Sequence, residues 1–194
     1  MMAHALDRRA AVKVLLADRG DLLVVTGLGS SSYDVFDAGD HPGNFYLWGA
    51  MGGAAMVGLG LALAQPQRAV AVITGDGEQL MGLGSLATSA AKRPANLSII
   101  VLDNAHFGET GMQMSHTGLG TKLALIAAGA GFPSVTEIED LDGINAFRPK
   151  LRALMGPHFA RVAIGTAHVD RALPPRDGVF LKNRFRDHLG IPVT

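Results

Sequence analysis

The chain is predicted to be an α/β protein with a doubly wound, mainly parallel sheet and helices on both faces. Three observations predict this. Short, continuously apolar runs such as DLLVVT (21–26), AVAVIT (69–74) and LSIIVL (97–102) have the composition of strands buried on both faces. Stretches with helical spacing of apolar residues, or rich in small residues, separate these runs. Strand and helix then alternate along most of the chain, which is the pattern of right-handed parallel crossovers.

Taken in order, residues 5–19 form a helix, because Ala11, Val12, Leu15 and Leu16 fall on one face and Gly20 stops it. Asp21–Thr26 is the first strand. GLGSSSYD is a loop leading into a short helix, and Asn44–Leu47 is a short strand. Gly49–Ala64 (GAMGGAAMVGLGLALA) reads as a buried helix whose small residues permit close packing, ended by Gln65-Pro66. Ala69–Thr74 is a strand, 78–92 a helix and Leu97–Leu102 a strand. Lys122–Ala130 is helical, Ser134–Ile138 a strand, 141–154 a helix and Ala160–Ile164 a last strand. Residues 170–194 form a Pro- and Arg-rich tail, suited to subunit contact, with an amphipathic element near Val179–Leu189.

Length and composition narrow the function classes. The 194 residues make one domain over 1–194, large enough for a substantial core, and 48% are hydrophobic. Lysines and arginines balance aspartates and glutamates to a formal net charge of zero, so no electrostatic case for nucleic acid or a membrane surface exists. No cysteine is present, which excludes disulfides, cysteine-ligated metals and thiol catalysis by this chain. The N-terminus carries charges throughout and lacks the apolar run of a signal peptide, so a cytoplasmic location is expected.

The chemistry concentrates after two strands. AVAVITGDGEQ places Gly75-Asp76-Gly77 at the end of one, and SIIVLDNAHFG places Asp103-Asn104 at the end of the next. Open parallel sheets bind ligands at the carboxyl ends of their strands. Either turn alone is an ordinary loop signal. Together, a carboxylate and an amide on neighbouring strand ends suit an oxygen-liganded divalent metal and, through it, a diphosphate.

At these residues the chain resembles the thiamine-diphosphate (ThDP) enzymes, in their diphosphate-binding domain with its ThDP-binding fold. The resemblance rests on MGGAAMVGLGLALAQP, GDGEQLMGLGSLAT and LDNAHFGETGMQ, and within the family it is to the phosphonopyruvate and sulfopyruvate decarboxylase group. It implies that Asp76 and Asn104 ligate Mg²⁺ by side chain and His106 by its main-chain oxygen. Gly75, Gly77 and Glu78 would lie beside the diphosphate, and Ser30 and Ser31 would donate hydrogen bonds to it. Met51 would wedge between the two cofactor rings, and the Gly49 carbonyl would accept from the aminopyrimidine. His106, Glu109 and Thr110 would border the reacting centre, with His41, His116 and Gln113 as further polar candidates. Glu109 and Met112 stand where the family pattern has small residues.

The resemblance further implies non-oxidative decarboxylation of a small 2-oxo acid to an aldehyde, with ThDP and Mg²⁺ as cofactors. A carboligase or lyase subunit, and a non-catalytic subunit that keeps the fold, remain alternatives. A 2-oxoacid:ferredoxin oxidoreductase β subunit shares the DN…TG-x-Q look but usually brings cysteine cluster ligands. The glutamate that activates ThDP comes from a separate pyrimidine-binding domain in this family, and Glu78, Glu109, Glu137 and Glu139 have no such setting. A pyrimidine-binding (α-type) partner subunit supplying that glutamate is therefore expected, in an α2β2 or higher heteromer. The Arg-rich tail (Arg171, Arg176, Lys182, Arg184, Arg186) reads as a solvated or subunit-contact surface.

Overall fold

The structure, a computed structural model, describes residues 5–192. Its centre is a six-stranded sheet built from β1 (Leu23–Thr26), β2 (Asn44–Tyr46), β3 (Val70–Gly75), β4 (Leu97–Asp103), β7 (Ser134–Ile138) and β8 (His158–Ala163). A two-stranded antiparallel hairpin, β5 (His106–Phe107) with β6 (Gln113–Met114), stands apart from it. The strand order is β2-β1-β3-β4-β8-β7, and every neighbouring pair is parallel. The chain steps from β1 outward to β2, then returns past β1 to β3. That reversal leaves a crevice between the ends of β1 and β3, where sheets of this kind take ligands.

Alternation along the strands separates two cores. Val24, Ile73, Ile100 and Val162 point to one face, where α1 (Arg8–Leu16), α2 (Ser30–Asp37) and α7 (Leu141–Phe147) pack. Val25, Val72, Ile99 and Phe159 point to the other, against α3 (Ala54–Ala64), α5 (Gly84–Lys92) and α6 (Leu123–Ala130). The fold class is thus the predicted one. Gly58 lets α3 lie directly on β3, because a Cβ there would stand 2.1 Å from Val72 Cγ2. The tail carries α8 (Gly178–His188), which lies along the β2 edge and covers it. Leu181 enters the first core, Phe185 the second, and Phe185 meets Phe45 edge-on at 5.5 Å.

Four elements differ from expectation. Residues 49–53 are a turn and not the start of a helix, because Gly49 and Gly52 adopt φ of 73° and 87°. The helix expected over 78–92 starts at Asp76 and breaks after Met81 into α4 (Asp76–Met81) and α5. The 49–53 turn packs against this break: a Cβ on Gly82 would lie 2.1 Å from the Gly52 carbonyl oxygen, so only glycine fits there. Residues 141–154 divide into α7 and a 3₁₀ turn over Arg148–Arg152, with Pro149 in its first turn, where the ring disfavours a continued α-helix. The first helix is shorter than 5–19, capped by the Asp7 carboxylate accepting from Ala10 N–H.

Candidate active site

One cleft opens at the carboxyl ends of β1, β3 and β4. Its walls include Ser30, Met51, Gly75, Asp76, Asn104 and His106. Ser31, Gly77, Glu78, Glu109 and Thr110 also border it. Eleven of the twelve expected site residues therefore face a single space. Gly49 does not line it; its left-handed φ shapes the turn that carries Met51.

Asp76 is the first residue of α4, and it is only 3% exposed. Burial pushes its carboxyl pKa up. The Ser115 hydroxyl opposes that shift, and the nearby Asp103 charge adds to it. Ser115 and Thr117 both donate to Asp76 Oδ2, Thr117 at 3.1 Å. Thr117 also lies 2.7 Å from Asp103 Oδ1, and Asp103 Oδ2 is paired with Arg161 Nε at 2.5 Å. The 115–117 segment thus ties the ends of β3 and β4 together. It leaves Asp76 Oδ1 toward the cleft without a side-chain donor among the described residues.

Asn104 makes a tight turn. Its Oδ1 accepts the His106 N–H at 2.9 Å, which requires Ala105 to take a left-handed φ of 60°. The His106 ring is held by its Nδ1 at 2.8 Å from the Asn104 carbonyl oxygen. Gly77 admits the Phe107 ring, since a Cβ there would lie 2.9 Å from Phe107 Cδ1. The same Cβ position is 3.9 Å from Met51 Cε, so Met51, Gly77 and Phe107 meet at one wall. Met51 is 44% exposed, an apolar side chain projecting into the cleft from a glycine turn and not a buried helical one.

Glu78 borders the cleft and also holds the loop after β1. Its Oε2 accepts the Leu28 N–H at 2.7 Å, and a Cβ on Gly27 would fall 1.8 Å from that oxygen. Burial raises its pKa against the opposing pull of Thr74 and of the Leu28, Ala54 and Gly52 backbone N–H groups. This carboxylate therefore holds the β1–α2 loop through Oε2, while its buried Oε1 has no hydrogen-bond partner among the described residues. At the start of α2, the Ser31 hydroxyl turns back to the Gly27 carbonyl at 3.2 Å, so Ser31 offers its N–H and not its hydroxyl to the cleft. Ser30 donates to Glu109 Oε1 at 3.1 Å, and Arg171 holds Glu109 Oε2 at 3.2 Å.

The other polar candidates separate. His41 lies before β2, at the amino end of the sheet, packed edge-on to His188 at 5.2 Å. It is at the wrong end for the cleft, a correction to its grouping with the active-site loops. His116 packs against Phe107 at 6.0 Å behind the wall. Thr110 and Gln113 bond each other in the hairpin turn. In the tail, Arg184 pairs with Asp40 at 2.6 Å, and Arg176 lies over Trp48. Arg8, Asp34, Ser115 and Thr117 were not foreseen. No motif marks them, and Arg8 is brought in only by the packing of α1 on α2.

The donor set fits a magnesium–diphosphate group. Among the described residues no three His, Cys, Asp or Glu side chains converge as a metal site. The cleft instead offers one carboxylate (Asp76), one amide (Asn104) and the His106 carbonyl. Mg²⁺ favours such a set because phosphate oxygens and water fill its remaining positions. Gly75 leaves that wall open to a diphosphate, as its Cβ position meets only the Leu102 carbonyl oxygen at 3.9 Å.

Comparison with known proteins gives the family of this chain. The thiamine pyrophosphate enzyme C-terminal TPP binding domain matches residues 28–163. The chain is 36% identical to the sulfopyruvate decarboxylase subunit beta of Methanothermobacter thermautotrophicus, over 93% of this chain and 94% of that protein. It is 40% identical to the phosphonopyruvate decarboxylase of Streptomyces viridochromogenes over 95% of this chain, but spans only 47% of that protein. The benzoylformate decarboxylase of Polynucleobacter necessarius superposes with a TM-score of 0.70 at 18% identity, over 85% of this chain and 34% of that one, which shows a shared fold. The chain belongs to the thiamine pyrophosphate enzymes, and residues 28–163 are its TPP-binding domain.

Proposed function

We propose that this chain is the ThDP- and Mg²⁺-binding subunit of a heteromeric 2-oxoacid decarboxylase that releases an aldehyde without oxidation. The observation that carries the reading is the meeting of Asp76 and Asn104 at neighbouring strand ends beside the β1–β3 switch point. Similarity to a decarboxylase subunit beta over nearly its whole length supports the division of labour between two chains.

Asp76, Asn104 and the His106 carbonyl would hold Mg²⁺, and the N–H groups of Ser30, Ser31 and Gly77 would face the diphosphate. Bound ThDP would supply the electron sink for loss of CO₂. The chain's own residues do the rest. Met51 and Phe107 give the cleft an apolar wall that excludes water, and the Gly49 turn sets the height of Met51. His106, Glu109 and Thr110 frame the entrance, where the 2-oxo acid would be oriented. The activating glutamate would come from a pyrimidine-domain subunit, because Glu78 is committed to the β1–α2 loop and Glu109 to Ser30 and Arg171. The tail over 170–192 packs on the domain, and its exposed face is assigned to subunit contact in a cytoplasmic α2β2 or larger assembly.

The test is cofactor binding by the chain co-purified with its partner. Asp76→Ala should abolish Mg²⁺-dependent ThDP binding in calorimetry and reduce turnover by roughly 10³-fold, given the loss of the one carboxylate assigned to the metal. Unchanged ThDP affinity and turnover in Asp76→Ala would refute the reading.

A further inference from the structure

Arg8 is the one lysine or arginine among the described residues that lines the inner cleft beside Asp76 and Asn104. It opens α1, and its place is set from two directions. The Asp7 cap fixes the helix start, and the Gly165 N–H donates to the Leu6 carbonyl at 2.9 Å, pinning that start beside the carboxyl end of β8. The Arg8 side chain is 13% exposed. Its Nε lies 3.5 Å from Asp34 Oδ2, and Asp34 is fully buried on α2, one turn beyond Ser30. Neither of those two atoms has a closer hydrogen-bond partner. Arg9 takes the opposite oxygen, Asp34 Oδ1, at 3.4 Å, and turns away to Asp37. Asp34 is therefore gripped from both sides, and only the Arg8 guanidinium faces the cleft.

The outer edge of that guanidinium makes no hydrogen bond to any described residue. Its two outer nitrogens stay accessible, and the planar fork matches an oxyanion bidentately. Arg8 also lies where the cleft continues outward past Ser30, Asn104 and Gly108 toward His168 and Arg171.

We infer that Arg8, aimed by Asp34, is an anion-contacting residue of this site, and that its outer guanidinium edge takes an oxyanion of the bound ligand. The inference rests on the ThDP reading above. Two groups share the required chemistry: the diphosphate of the cofactor and the acidic group of the substrate. Asp34 is a positioning residue, acting through Arg8.

The experiment uses the complex with its partner subunit and three variants, Arg8→Ala, Arg8→Lys and Asp34→Asn. Calorimetry measures binding of Mg²⁺–pyrophosphate and Mg²⁺–ThDP, and steady-state kinetics separates KM from kcat for acidic 2-oxo acids. If Arg8 meets the diphosphate, Arg8→Ala weakens pyrophosphate and ThDP alike by at least tenfold. If it meets the substrate, both bind as in the wild type and KM rises at least tenfold with little change in kcat. In either case Arg8→Lys, a point charge in place of a fork, loses part of the effect. Asp34→Asn shifts the same constant as Arg8→Ala, a split that a merely structural role would not produce. Should Arg8→Ala fail to fold, Arg8→Lys carries the comparison. Unchanged pyrophosphate, ThDP and substrate constants in a folded Arg8 variant overturn the inference alone. A wild-type complex that binds no ThDP overturns the underlying reading.

Discussion

Burial pushes the Asp34 carboxyl up to about 6, although Arg8 and Arg9 pull against it and Asp7 adds to the rise. In an unfolded chain this group ionises near 3.8. Between about pH 4 and 6 the folded state thus keeps a proton that the unfolded state has released, and stability falls as pH rises through that window. At about 1.4 kcal/mol per pKa unit, the loss amounts to at most ~3 kcal/mol. Asp34→Asn has no such proton to lose. Urea denaturation at pH 4, 5.5 and 7 should show the variant gaining on the wild type as pH rises, and a constant gap would contradict the assignment. At this scale the sequence revealed the site unevenly. Asp76 and Asn104 were legible because each sits in a glycine or Asx turn directly after a strand. Arg8 and Asp34 were not, because their meeting depends on how α1 lies across α2. The Glu78 contact was also hidden, since neighbouring residues cannot show that Leu28 returns to that carboxylate.

The helical elements record how closely backbones approach each other. Val72 is fully buried where Gly58 lets α3 settle on β3, so Gly58→Ala forces a shift of one against the other. Overpacking of this kind costs about 1–3 kcal/mol, more than the ~1 kcal/mol that alanine gains in helix propensity. A lower urea midpoint at unchanged slope is expected. Gly82 faces a backbone oxygen and not a flexible side chain, so Gly82→Ala must displace the 49–53 turn. That variant should lose ThDP affinity as well as stability, because Met51 travels with the turn. The six strands of the main sheet were readable from apolar runs and their alternation with helices, but their order and the β5–β6 hairpin were not. The break between α4 and α5 was not, as it packs against a loop some thirty positions earlier in the chain.

Across the whole molecule, the sheet is closed on its β2 side by the tail. Phe185 is buried against Phe45, and Arg184 reaches both Asp40 and the Asn44 carbonyl. Removing that aromatic anchor by Phe185→Ala should cost about 3 kcal/mol and release α8. Limited proteolysis would then cut near residues 170–178 under conditions where the wild type resists. Ligand linkage acts on the same scale. ThDP with Mg²⁺ at about a hundred times Kd should stabilise the assembled complex by ~2.7 kcal/mol, and Asp76→Ala should abolish the shift. No helix among the described residues is long and apolar enough to cross a membrane.

The Glu78 carboxylate has a consequence for recombination between relatives. It holds the loop after β1 by the Leu28 N–H and lies close to Thr74 and to the turn before α3, so a change in any of these segments alters the surroundings of one buried carboxylate. A chimera that imports the Met51 turn alone to change the pocket would lack matching donors for a buried charge. Exchange of all three segments with Glu78, by contrast, would leave both cores of the sheet untouched.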